Sequence, residues 1–217
     1  MANKIVQFYQ DEYARQSFSH VYLEERMDHY ANILRIIKKL NVSSIIDIGC
    51  SFGKLVELCN KSGISSYGID LPIENLKQYH ARLTLSRDKI FYGIIGRDDF
   101  LNIINENKID TAIISDTLRY IEHPEKLNGL KFNYIIIKEI SKKFCELYYR
   151  LRQKRQIPWH YAHLYSPAAC LELFQDYYPY EIYCSKHLVM VSRPGRLTLS
   201  VINILSPTFT LVLKRKT

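Results

Sequence analysis

The chain has 217 residues, 47% hydrophobic and 24% charged, with a formal net charge of +8. Those proportions are ordinary for a globular protein and exclude a disordered or collagen-like chain; the length suits one domain with short additions. No apolar run reaches the roughly 18–20 residues of a membrane span, and the opening MANKIVQFYQDEYARQSF is too polar for a secretory leader, so the cytoplasm is the expected compartment.

Five cysteines (Cys50, Cys59, Cys145, Cys170 and Cys184) form an odd set without a CxxC pair. That pattern predicts free thiols, with neither a disulfide framework nor a zinc site. The positive charge is local. Seven basic and two acidic residues between Lys138 and Arg155 give +5, and Lys214, Arg215 and Lys216 give the other +3. Two basic patches of this kind attract anions at long range, while a solvated helix face is the plainer reading.

The N-terminal forty residues read as helical, with an apolar stripe through Leu23, Met27, Ala31, Leu34 and Ile37. The period then changes. Ser44–Gly49 is a short β-branched run of the kind that forms a buried parallel strand, and Lys54–Ser62 is a helix stopped at Gly63. Strands are expected at Ser66–Leu71, Lys89–Ile95, Asp110–Ser115 and Phe132–Ile137, with helices at Glu74–Leu85 and Asp98–Asn107 between them. A long basic helix over Ile140–Gln156 follows, and Ser166-Pro167 caps a helix over Ala168–Gln175. Tyr180–Cys184 and Leu188–Ser192 form an antiparallel hairpin. This alternation predicts an α/β fold: a Rossmann-like, doubly wound, seven-stranded and mostly parallel sheet with an antiparallel last strand and helices on both faces.

In such sheets ligands bind beyond the carboxyl ends of the strands. The first strand ends Ile46-Asp47-Ile48-Gly49-Cys50-Ser51-Phe52-Gly53. Its glycines are spaced GxxxG, not the GxGxxG of a dinucleotide loop, and no Lys-Ser/Thr follows Gly53 as a phosphate-binding loop needs.

Here the sequence resembles the class I S-adenosylmethionine-dependent methyltransferases, of small-molecule type. Their first motif, an acid and a turn of the form DxGxGxG, is matched by Asp47, Gly49 and Gly53, with Ser51 in place of the middle glycine. The acid ending strand two is Asp70, and the acid after strand three is Asp98 or Asp99. The stretch Asp110–Pro124 resembles the family's fourth-strand signature. The resemblance covers Ser44 to Arg193 and implies S-adenosylmethionine as cofactor. It implies cofactor contacts from Asp47, Gly49, Cys50, Gly53, Asp70, Leu71, Asp98, Asp99 and Asp116. It divides the chain into a helical cap (1–43), a cofactor-binding domain (44–193) and a C-terminal extension (194–217).

The cofactor's sulfonium makes its methyl group electrophilic, so the protein has to align a nucleophile and take its proton where needed. Candidate bases are His163, His123 and His160. His163 lies in Trp159–Pro167, which resembles the lead-in to the penultimate helix of small-molecule members. Ser115–Tyr120 lacks the Pro-Pro-aromatic of base-amino enzymes and the Pro-Cys of cytosine-C5 enzymes. The expected reaction is therefore methylation of an O or N atom on a small-molecule, sugar or lipid-linked acceptor, glycan-like and anionic in one version. No metal is expected, and nucleic acid is not the expected partner. Two alternatives stand beside this: a non-catalytic cofactor-binding partner protein, and an RNA- or DNA-directed enzyme using the basic helix 138–155. The tail Leu197–Leu213 reads as an extra edge strand, a homodimer contact or a membrane-surface segment.

Overall fold

The structure is a computed structural model that describes residues 7, 10–11, 27–93, 103–104, 106–121, 123–152, 164–184 and 189–216. Eight strands make one mixed sheet in the order β3-β2-β1-β4-β5-β8-β6-β7, and the chain divides into units Met1–Ala112 and Ile113–Thr217, with the boundary inside β4.

The first unit begins with α1 (Met27–Lys39), whose inward face is Ile33, Ile36 and Ile37. That face is rotated from the stripe expected through Ala31 and Leu34; Ala31 is exposed. Strand β1 (Ser44–Ile48) is buried along its whole length, as its β-branched run predicts. Helix α2 (Lys54–Lys61) buries Leu55, Val56 and Cys59 and ends before Gly63, whose φ of 78° is the left-handed conformation of a helix stop. Strand β2 (Ser65–Asp70) pairs in parallel with β1, Ser44 opposite Ser65 through Ile48 opposite Ile69. Helix α3 (Glu74–His80) ends five residues before the predicted stop at Leu85, and a 3₁₀ turn (Arg87–Lys89) leads into β3 (Ile90–Tyr92). Strand β3 pairs in parallel with β2, so Tyr92 stands opposite Asp70. The predicted helix over Asp98–Asn107 lies largely outside the described residues.

The second unit continues β4 (Thr111–Ser115) into β5 (Tyr134–Ile140), α4 (Lys142–Leu151), α5 (Pro167–Leu173), β6 (Tyr177–Cys184), β7 (Val189–Ser192), α6 (Arg196–Leu205) and β8 (Thr208–Arg215). The Ser166 hydroxyl accepts from Ala169 N at 3.0 Å, the N-cap expected from Ser166-Pro167. The hairpin is present as β6 and β7, antiparallel from Glu181 opposite Ser192 to Cys184 opposite Val189.

Two expectations need correction. Among the described residues the sheet has eight strands, not seven, because the tail supplies β8. That strand is interior: it pairs antiparallel with β5 on one side, Tyr134 opposite Lys214 through Ile140 opposite Thr208, and with β6 on the other. Leu211, Val212 and Leu213 are consecutive and fully buried, as in a strand covered on both faces. An edge strand does not describe it. The basic stretch from Lys138 to Arg155 is likewise not one helix. Lys138, Glu139 and Ile140 belong to β5, α4 starts at Lys142, and 153–155 lie outside the described residues.

Candidate functional site

The site predicted at the end of β1 forms within the first unit. Gly49, Ser51 and Gly53 have φ of 78°, 47° and 69°, so the loop after β1 turns through three left-handed residues. Ser51 takes the backbone geometry that the resembled motif reserves for glycine, at a cost of roughly 1–3 kcal/mol. Gly49 N and Cys50 N both donate to Ile69 O, at 2.8 and 3.2 Å, which pins the loop to β2. Gly53 is favoured by its left-handed backbone, and both Gly53 and Gly68 are closely packed. A Cβ on Gly53 would lie 2.7 Å from Ile90 Cδ1, and one on Gly68 would lie 2.8 Å from Cys50 Sγ.

Asp70 closes the loop. Its Oδ2 accepts from Ser51 N at 2.5 Å and its Oδ1 from Leu71 N at 2.7 Å. Burial pushes its carboxyl up to about 6, against the pull of those two N–H groups. Asp47, in β1 opposite Gly68, is buried, and none of the described residues donates a hydrogen bond to it. Burial, and then the charge of Asp70, push its carboxyl up to about 7. The buried Cys50 thiol is pushed up by burial and by both carboxylates, so it is a packed thiol and not a nucleophile.

A histidine that the sequence reading passed over supports this loop. His80, on α3, is buried; its Nε2 lies 2.5 Å from Ser51 O and its Nδ1 lies 2.9 Å from the Tyr92 hydroxyl. A carbonyl only accepts, so Nε2 carries the proton and donates, and Nδ1 accepts from Tyr92. Burial lowers the imidazole's pKa, in keeping with this neutral tautomer. The available signal was position: His80 follows the inward Leu76 by four residues and shares its helix face. His80→Phe is expected to keep the shape but remove the hydrogen bonds to Ser51 O and the Tyr92 hydroxyl, lowering stability by about 1–3 kcal/mol. A urea melt measures this, and His80→Gln, which can still donate, should recover part of the loss.

The first unit thus brings together Asp47, Gly49, Cys50, Gly53, Asp70 and Leu71. Asp98, Asp99, His160 and His163 lie outside the described residues. In the second unit Asp116 ends β4 with φ 58°; Lys138 Nζ is 2.5 Å from its Oδ2, and its N–H donates to Lys138 O at 2.8 Å. His123 is exposed ahead of a 3₁₀ turn (Pro124–Gly129), with Nδ1 3.2 Å from Glu125 Oε1. Another pair escaped the sequence reading. Arg119 Nη1 donates to the fully buried Glu139 carboxylate at 2.8 Å, and Leu118 N donates to its other oxygen at 3.0 Å. Among the described residues no three His, Cys, Asp or Glu side chains are grouped to hold a metal ion.

A parallel β1–β3 edge, a glycine loop after β1 and an acid ending β2, within this sheet order, define the fold of the class I S-adenosylmethionine-dependent methyltransferases. Residues 26–143 match the sequence profile of the family described as methionine biosynthesis protein MetW, and the chain belongs to that family. Among solved structures, a SAM-dependent methyltransferase from Archaeoglobus fulgidus is 18% identical with TM-score 0.59, covering 96% of this chain and 99% of that one. Magnesium protoporphyrin IX methyltransferase from Synechocystis PCC 6803, solved with bound SAH, is 14% identical with TM-score 0.60, over 97% and 99% of the two chains. A TehB-like SAM-dependent methyltransferase from Corynebacterium glutamicum is 13% identical with TM-score 0.57, over 97% and 100%. At these identities the likeness concerns the fold. No curated protein sequence matches the chain.

Proposed function

We propose that the chain is an S-adenosylmethionine-dependent methyltransferase acting on an O or N atom of a small-molecule, sugar or lipid-linked acceptor. The observation that carries the cofactor assignment is Asp47: a carboxylate only 4% exposed, near the Asp70 carboxylate and just before a loop of left-handed backbone. Such a group is costly unless a cation or donor completes it. The α-ammonium of the cofactor's methionine end supplies that partner, directly or through water. Asp70 is an acceptor at both oxygens, and each keeps a lone pair beyond its N–H bond for a ribose hydroxyl. Asp98 or Asp99 takes the adenine amino group in this reading. The bound sulfonium supplies an electrophilic methyl group. The chain's own part is to hold the acceptor in line and remove its proton, for which His163 and His123 are the candidates.

The test is titration calorimetry with S-adenosylmethionine across pH. Asp47 is protonated in the free protein below about 7, and an ammonium partner favours its ionised form, so binding releases a proton there. Affinity should rise about tenfold per pH unit between about pH 6 and pH 7 and then level off, and rise more steeply below about 6, where Asp70 is protonated as well. The unliganded protein should behave in the opposite sense. Its native state keeps a proton that the unfolded chain has already lost, so this group's contribution makes stability fall as pH rises from about 4 to about 7. Absence of binding at any pH removes the cofactor assignment. Binding without transfer of labelled methyl to any acceptor in a metabolite extract removes the enzymatic one.

A further inference from the structure

Of the ten large apolar side chains exposed among the described residues, seven lie on just two helices, α4 and α6. Helix α6 turns Leu199, Ile202 and Asn203 inward, yet its opposite side carries Leu197, Val201, Ile204 and Leu205. A helix that is apolar on both sides is ordinarily buried on both sides. Here Leu197 is 79% exposed and Leu205 is 72% exposed. Helix α4 adds a line at four-residue steps, Lys143, Leu147 and Leu151, with Leu151 76% exposed. The two helices are joined where Lys143 N donates to Asn203 Oδ1 at 3.3 Å.

The charge on these two helices and their flanks is predominantly positive. Helix α4 carries Lys142, Lys143 and Arg150, with Arg152 next to it, against Glu146 alone. Arg193 and Arg196 stand at the start of α6, and no acidic residue occurs from Arg193 to Leu205. We propose that the paired helices α4 and α6 are a docking face for an anionic phospholipid surface, on which the aliphatic side chains enter the headgroup–acyl boundary while the cations meet lipid phosphates. Two copies of the chain apposed through this face would bring like charges together. A protein partner is a poorer fit, because protein interfaces concentrate their energy in aromatic and Arg anchors seated in pockets, with Leu under-represented. Projecting aliphatic side chains on a helix flanked by Arg and Lys are the pattern of interfacial membrane helices. Among the described residues no helix is long and apolar enough to cross a membrane, so the association is peripheral.

The test is co-sedimentation of the full chain with vesicles of phosphatidylcholine alone or mixed with phosphatidylglycerol, at low and high salt. The chain should bind the mixed vesicles, bind phosphatidylcholine at least tenfold more weakly, and be released by salt. Leu197→Glu with Leu205→Glu should reduce binding at least tenfold with an unchanged circular dichroism melt, since both side chains face water in the free protein. Arg196→Glu with Lys143→Glu tests the charge separately and should flatten the salt dependence. The proposal is overturned if the wild type stays in the supernatant with mixed vesicles, or if the Leu variant sediments as the wild type does. It is also overturned if light scattering finds a dimer that the Leu variant dissociates, which gives the face to a second copy.

Discussion

Asp70→Ala is expected to weaken S-adenosylmethionine binding roughly 10- to 150-fold, the equivalent of about 1.5–3 kcal/mol for charge-assisted hydrogen bonds. Two effects combine. The ribose hydroxyls lose their acceptor, and the loop loses the bonds that Asp70 makes to Ser51 N and Leu71 N. The second matters because Ser51 has φ 47°, a conformation it holds only while its surroundings hold it there. Asp70→Asn separates the effects: its carbonyl oxygen can still accept one N–H, but its amide group cannot accept the other. Its affinity should fall between those of the wild type and Asp70→Ala. Calorimetry on both variants, with melts to confirm folding, measures this; an unchanged dissociation constant in Asp70→Ala would place the ribose elsewhere.

Arg119→Met is expected to be among the most damaging single changes in the second unit. Glu139 is fully buried, and Arg119 supplies its charged partner at 2.8 Å. Removing one member of a buried pair costs about 3–5 kcal/mol, because the other charge stays behind uncompensated. That is a large part of the roughly 5–15 kcal/mol that holds a domain folded. Burial already pushes the Glu139 carboxyl up, and Arg119 pulls it back down. Without the guanidinium the carboxyl rises further and keeps its proton to higher pH. The deficit should therefore grow as pH rises and shrink in mild acid, as for any acid whose native pKa lies above its unfolded one. Adding Glu139→Gln should restore much of the loss. A chemical melt of the wild type and the single and double variants at two pH values decides it, and a deficit of the single variant that is the same at both pH values would contradict the ion pair.

The parts of this molecule that were readable from the chain are those whose cause is local. A β-branched run ending Asp47-Ile-Gly49, and an acid closing the next run at Asp70, carry their meaning within a few residues. The structure brings them together because two adjacent parallel strands put their ends side by side. His80 was missed for the opposite reason. On an inward helix face it reads as one more core position, and only the fold brings Ser51 O and the Tyr92 hydroxyl to its two ring nitrogens. Glu139 was hidden within a basic run, where alternation along β5 turns it inward and leaves Lys138 to pair with Asp116. The strand in the tail was misread most. Its alternation is interrupted at Pro207, and nothing in Thr208–Arg215 says that it will lie between two strands from earlier in the chain.

That late strand has a consequence for how the protein is made. β5 and β6 are never neighbours; each uses its β8-facing edge only when residues 208–215 arrive. During synthesis the second unit therefore spends the interval between its sixth and eighth strands with two open ladders, the state in which strand edges seek foreign partners. The first unit needs nothing from that stretch to pair β1, β2 and β3. A nascent chain stalled near Ser206 would thus emerge with its glycine loop supported and its other half unsealed.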